Sequence, residues 1–274
     1  MRQVLLIVLA SGLAFAQAGN PAADSSSTSS QSIPVDQENA RKAKALLDQM
    51  IQALGGQAYL NIQDISQQGR AYSFYHGQAN SVGTLFWRYY KYPDKERIEL
   101  TKQRDVSYVY NGDKGFEITY KGSALQDQKV LADYLRRREH SLDWVIRKWL
   151  NEPGIALFYD GSSVAGEKPA EQVTILNAKN DSVTLFIDSA NHLPLKKSYT
   201  WRDPTDKLRS NEEEVFDGYR MVQGVNTPFS VTRYLNGDMS NQRFLNTVTY
   251  NTGVNESLFI TSATYDPSKP QKKR

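Results

Sequence analysis

Apolar residues recur at helical spacing over residues 36–54, where Ala43, Leu46, Leu47, Met50, Ile51 and Leu54 form one stripe. Asp36 suits an N-cap, and Gly55-Gly56 stops the helix where a left-handed backbone is needed. A second helical region spans residues 124–150. Leu131, Tyr134 and Leu135 make one stripe there, and Leu142, Val145, Ile146, Trp149 and Leu150 make another. His140-Ser141 divides the two, with Ser141 capping the second. Elsewhere the pattern is that of strands, over 69–75, 83–92, 96–101, 106–110 and 115–120 before the second helical region. After it they fall at 155–159, 172–176, 183–188, 195–202, 212–216, 229–235 and 243–250. Asn111-Gly112-Asp113 and Asn236-Gly237-Asp238 are hairpin turns. Short strands in series, with no crossover helices between them, form an antiparallel meander. The expected class is α+β, mainly antiparallel β: a half-open β-barrel, or curved sheet of about 11 strands, with helices on its concave face.

One strand breaks the usual alternation of a half-exposed sheet. Leu85-Phe86-Trp87-Arg88-Tyr89-Tyr90-Lys91-Tyr92 carries large rings at both parities. Val183, Leu185 and Ile187 give a cleaner one-sided face. Core packing and the ordinary enrichment of rings in strands account for much of this. A concave face larger than the helices can fill would also leave an apolar cavity for a ligand. The candidate lining is Phe86, Tyr90, Tyr92, Leu85, Trp87, Leu185 and Ile187.

The ends of the chain change the picture of where it works. Arg2 followed by Val4-Leu5-Leu6-Ile7-Val8-Leu9-Ala10 and small residues at Ala14, Ala16 and Ala18 reads as a cleaved signal peptide, residues 1–18. Residues 19–34 are Ser-rich and read as a disordered tether, and 266–274 as a disordered basic tail. A single domain is expected over 35–265, exported to the periplasm as a soluble protein, and monomeric.

Composition then removes chemistry. Among 274 residues, 33 Lys and Arg nearly balance 30 Asp and Glu, which argues against nucleic acid as a partner. There is no cysteine, so disulfides, thiolate nucleophiles and Cys-ligated metals are excluded. His76, His140 and His192 form no metal-binding pair and each reads as a surface turn residue. Gly161-Ser162-Ser163-Val164-Ala165-Gly166 lacks the nucleophile-elbow pattern and reads as a turn. Glu212-Glu213-Glu214 places Glu212 and Glu214 on one face, read as a solvated strand start. Arg136-Arg137-Arg138 fits either a helix surface or an anionic headgroup. No mechanism assembles, no cofactor is implied, and the protein is not expected to be an enzyme.

The order of segments resembles the LolA and LolB periplasmic lipoprotein carriers and their wider relatives. The likeness runs from Ala53-Leu54-Gly55-Gly56 through Gly83-Thr84-Leu85-Phe86-Trp87 and Tyr92-Pro93 to the hairpin Tyr110-Asn111-Gly112-Asp113-Lys114-Gly115-Phe116. It continues with Val183-Thr184-Leu185-Phe186-Ile187-Asp188 and Phe216-Asp217-Gly218-Tyr219-Arg220. The resemblance implies a half-open barrel, its mouth lidded by helices, with an interior that holds acyl chains. Each buried CH2 would contribute about 0.8 kcal/mol. The carriers hold a basic residue before the Pro, where this chain has Tyr92. The implied function is binding or shuttling a lipid, a lipoprotein acyl chain or another amphiphile. Implied partners are a lipid or acylated protein, and an envelope membrane protein. The alternative on the same fold is an envelope sensor or protein-interaction module, and a third reading is an enzyme of unknown type.

Overall fold

The structure, a computed structural model, describes residues 35–80 and 82–268. The expected signal peptide and tether lie outside the described residues, as does the tail beyond residue 268.

Helix α1 (Val35–Leu54) carries the expected stripe inward: Ala43, Leu46, Leu47, Met50 and Leu54 are buried. Asp36 falls within its first turn rather than before it. Gly55 and Gly56 take φ of 129° and 56° and end it, and the single turn α2 (Gln57–Leu60) follows. The chain then runs through β1 (Asp64–Tyr75), the two-residue β2 (Gln78–Ala79), β3 (Thr84–Lys91), β4 (Lys95–Leu100), β5 (Val106–Asn111), β6 (Lys114–Thr119) and β7 (Gly122–Leu125). Two helices come next. Asp127 caps α3 (Gln128–Glu139), and Ser141 caps α4 (Leu142–Arg147) by accepting from the Trp144 amide at 3.2 Å. Seven strands complete the sheet: β8 (Ala156–Ala165), β9 (Lys168–Leu176), β10 (Ser182–Asp188), β11 (Pro194–Arg202), β12 (Arg209–Val222), β13 (Val225–Leu235) and β14 (Asp238–Tyr250).

All 14 strands belong to one antiparallel sheet, ordered β7-β6-β5-β4-β3-β1-β14-β13-β12-β11-β10-β9-β8, with β2 paired to β1 off this path. Antiparallel mainly-β architecture with helices on an open curved sheet is the expected class. The number of strands exceeds the expected eleven or so. The added ones are the short β2 and β7; Ala124, expected at a helix start, lies in β7. Residues 161–165, expected as a turn, continue β8 past a bulge between Tyr159 and Gly161.

The order dictates what covers the sheet. Strands β1 to β7 run out to one edge, β8 begins at the other, and β14 returns to pair with β1. The α3–α4 segment joins the two edges, and its Tyr134, Arg138, Trp144 and Val145 place it over the concave face. Helix α1 lies against β8, β9 and β13, strands far apart in the sheet, which places it inside the curl. Its stripe meets Val173, Ile175, Val183, Leu185 and Ile187 together with Trp144, Val145, Ile146 and Trp149 in one dry core.

Candidate functional site

The core covers β8–β11 and reaches Val225 and Phe229 of β13 and Val248 and Tyr250 of β14. Toward β1, β3, β4 and β5 the sheet and α3 border a partly open cavity of about 430 Å³, within the size range of small-molecule sites. Its apolar walls come from Ile65 and Ala71 of β1, Phe86 and Tyr90 of β3, Ile98 and Leu100 of β4, and Tyr110 of β5. Tyr59 and Tyr250 add two more rings. Local sequence makes room for one of these rings. Gly69 pairs with Phe86 across β1 and β3, and a Cβ there would lie 3.0 Å from the Phe86 ring and 2.2 Å from the Phe244 carbonyl.

Phe86 and Tyr90 are both buried and border the cavity; the Tyr90 hydroxyl donates to the Pro93 carbonyl at 2.6 Å. Leu85 and Trp87 have the opposite parity. Leu85 pairs with Arg70, and Trp87 stacks under the Arg104 guanidinium at 4.2 Å. Tyr92 follows the end of β3, with the Arg147 guanidinium of α4 3.8 Å over its ring. The cation of this pair is on the helix and the ring on the strand side. Leu185 and Ile187 are fully buried in the core beneath α1, away from the cavity walls.

The cavity also holds buried charge, which the search for apolar faces passed over. Arg88 lies between Phe86 and Tyr90 with the same inward parity. Its Nε donates to Glu96, and its guanidinium reaches the Gln67 side chain at 3.1 Å. The second Glu96 oxygen accepts from the Tyr134 hydroxyl of α3 at 2.7 Å. Burial alone would raise the Glu96 carboxyl, but the Arg88 charge and hydrogen bond, helped by Tyr134, hold it below the usual range. Burial outweighs Arg147 at Asp143 and pushes that carboxyl up.

A second network lies on β11, β12 and β13. Arg233 bridges Glu212 at 3.3 Å and Glu214 at 3.1 Å, and Lys197 reaches Glu214 at 3.2 Å. Glu212 and Glu214 do share a face, but it is the concave one, and both side chains are largely buried. The expected solvated strand start is thereby corrected. Burial at Glu214 is overcome by Lys197, Arg233 and Arg243, so its carboxyl is held far below the usual range. His140 is likewise no surface residue. It stacks on Tyr199 with centroids 4.3 Å apart, its Nδ1 lies 2.8 Å from the Arg136 carbonyl, and burial lowers its pKa.

Helix α3 covers the cavity with no fully buried residue of its own. Aromatic and polar contacts hold it. The Tyr134 ring stacks on Tyr110 with centroids 3.4 Å apart. Arg138 donates to the Gly112 carbonyl at 2.7 Å and pairs with Asp113 at 3.3 Å, latching the helix to the β5–β6 turn. The Arg136 guanidinium lies 3.4 Å over Trp201. Among the described residues, no group of three or more His, Asp or Glu is arranged to hold a metal ion, and no helix is long and apolar enough to cross a membrane.

No family model and no curated protein matches the sequence. Solved structures do match the fold. A DUF1329 family protein from Desulfovibrio piger superposes with a TM-score of 0.57 at 13% identity, covering 80% of this chain and 97% of that one. An outer membrane lipoprotein-sorting protein domain from Vibrio parahaemolyticus gives 0.51 at 10% identity, covering 81% and 97%. A LolA superfamily protein from Nitrosomonas europaea gives 0.49 at 9% identity, covering 80% and 97%. At these identities the likeness is one of fold. The open curved sheet with helices across its mouth is the architecture of the lipoprotein-sorting domain, as the order of motifs along the sequence had implied.

Proposed function

We propose that this chain is an exported, extracytoplasmic binding protein for a lipid, a lipoprotein acyl chain or another amphiphile, and that it acts as a carrier rather than an enzyme. One observation carries the reading. The part of the concave face that α1 leaves open is a cavity of about 430 Å³ whose walls set aromatic and aliphatic side chains beside charged ones, covered by a helix that buries no residue fully. An apolar chain in that space gains about 0.8 kcal/mol for each CH2 removed from water. Stacked rings and branched side chains tolerate variation in the chain, as a carrier requires. A cover held by a few hydrogen bonds and a ring stack can release without unfolding the core beneath α1.

In this reading Phe86 and Tyr90 are the walls of the ligand site, Tyr92 helps seat α4, and Leu185 and Ile187 support the fold. The N-terminal segment supplies export, which fits a chain without cysteine that gains nothing from oxidation. The test is titration of the delipidated protein with cis-parinaric acid, a fluorescent fatty acid. Phe86→Asp, which puts a carboxylate on the wall, is expected to weaken binding at least tenfold, while Trp87→Asp on the opposite face leaves it within twofold. No binding by the unaltered protein, or equal losses in both variants, would contradict the proposal.

A further inference from the structure

The cavity carries more positive charge than the protein itself neutralises. Five guanidinium groups border it, on Arg88, Arg137, Arg138, Arg233 and Arg243, against three carboxylates, on Glu96, Asp143 and Glu214. Three of the five are held: Arg88 by Glu96, Arg138 by the Gly112 carbonyl and Asp113, and Arg233 by Glu212 and Glu214. The guanidinium groups of Arg137 and Arg243 make no ion pair or hydrogen bond among the described residues.

A partly buried cation without a partner gives up hydration and receives nothing in return. The surroundings of both groups show that penalty. Burial, followed by repulsion from Arg233, lowers the Arg137 pKa. Burial brings Arg243 down to about 10; Glu214 opposes the shift, while Arg233 and Arg88 add to it. Arg243 adds to the field that holds Glu214 ionised, but neither arginine is the ion-pair partner of a carboxylate, because Glu96 and Glu214 have closer partners. Arg137 reaches the cavity from α3, the helix that crosses the mouth, and Arg243 reaches it from β14 in the sheet.

We infer that the ligand of this cavity carries an anionic group, a carboxylate or a phosphate, held by Arg137 and Arg243 while its apolar portion lies along Phe86, Tyr90, Ile98 and Leu100. This rests on the amphiphile reading above and narrows it to anionic amphiphiles. Guanidinium offers a planar fork of donors that suits both oxyanions.

The test uses the delipidated protein with three probes: cis-parinaric acid, its methyl ester and inorganic phosphate. The acid and ester share one chain and differ in the anion. The unaltered protein is expected to bind the acid at least tenfold more tightly than the ester, as charge-assisted hydrogen bonds require. In Arg137→Gln/Arg243→Gln that ratio should fall toward one. Phosphate should displace the acid only weakly, because the chain supplies the rest of the affinity. Equal affinity for acid and ester in the unaltered protein overturns the anionic-group inference and leaves the amphiphile reading standing. Binding of neither overturns both. Phosphate binding as tight as that of the acid assigns the arginines to a free anion and overturns the headgroup form. The melting temperature of the ligand-free double variant is the second measurement. It should be no lower than that of the unaltered protein, since two unpaired buried charges are removed. A fall of several degrees would make the arginines structural and overturn the inference.

Discussion

Glu214 shows how much of the interior was hidden at the level of single residues. In sequence, Glu212-Glu213-Glu214 looks like a solvated edge, because the strand pattern reveals shared parity and not which side is inside. In the fold, Lys197 and Arg233 meet Glu214 from neighbouring strands. Those cations are 17 and 19 residues away in sequence, and only the strand register brings them together. Arg88 was closer to legible. Its parity matches Phe86 and Tyr90, so an inward Arg among rings was a signal of a polar wall. Phe86 and Tyr90 border the cavity, whereas the equally apolar Leu185 and Ile187 lie in the core.

The paired carboxylates make a prediction with a definite sign. Glu96 and Glu214 both have folded pKa values below the unfolded carboxylate value, near 4.3. Their contribution to stability is therefore complete above about pH 4.3 and is lost as the pH falls through the folded values. Glu214→Gln should lower stability at pH 7 by about 3 kcal/mol, because Lys197 and Arg233 lose a buried partner. The same variant should lose less on going from pH 5 to pH 3. Urea unfolding across that range measures both quantities, and a variant with unaltered acid sensitivity would contradict the assignment.

At the scale of elements, α1 was readable from its stripe and its Gly55-Gly56 stop, and the hairpins from their Asn-Gly turns. Strand β7 was not, since Gly122-Ser123-Ala124-Leu125 is too short to show a period of two. The character of α3 was also hidden. Its stripe of Leu131, Tyr134 and Leu135 does not reveal what the helix lies on; it covers a cavity and is fixed by Tyr134 and Arg138. Amide hydrogen exchange should therefore be faster in α3 than in α1, whose inward stripe is fully packed. Tyr134→Phe removes a hydrogen bond to a carboxylate, worth about 1.5–3 kcal/mol, and should speed exchange in α3 by roughly tenfold or more while leaving α1 unchanged. Equal protection of the two helices would mean that α3 is part of the core.

At the scale of the molecule, the sheet order explains why a chain with so little recognisable chemistry has a built interior. A meander that begins in the middle of the sheet, runs to one edge and resumes at the other here sends its connection across the concave face. Helix α1 fills one part of that face, and the crossing helix α3 covers another. Sequence periodicity yields the strands and their antiparallel pairing. The division of one concave face into a dry core and a cavity depends on where α1 lies, and no local pattern encodes that. The most direct measurement is covalent mapping with a photoreactive fatty acid on the delipidated protein, followed by peptide mass spectrometry. Adducts should fall on β3, β4 and α3, at segments holding Phe86, Tyr90, Ile98 and Tyr134, and not on α1 or β10. Absence of adducts, or their confinement to α1, β10 or exposed loops, would contradict a ligand site in this cavity.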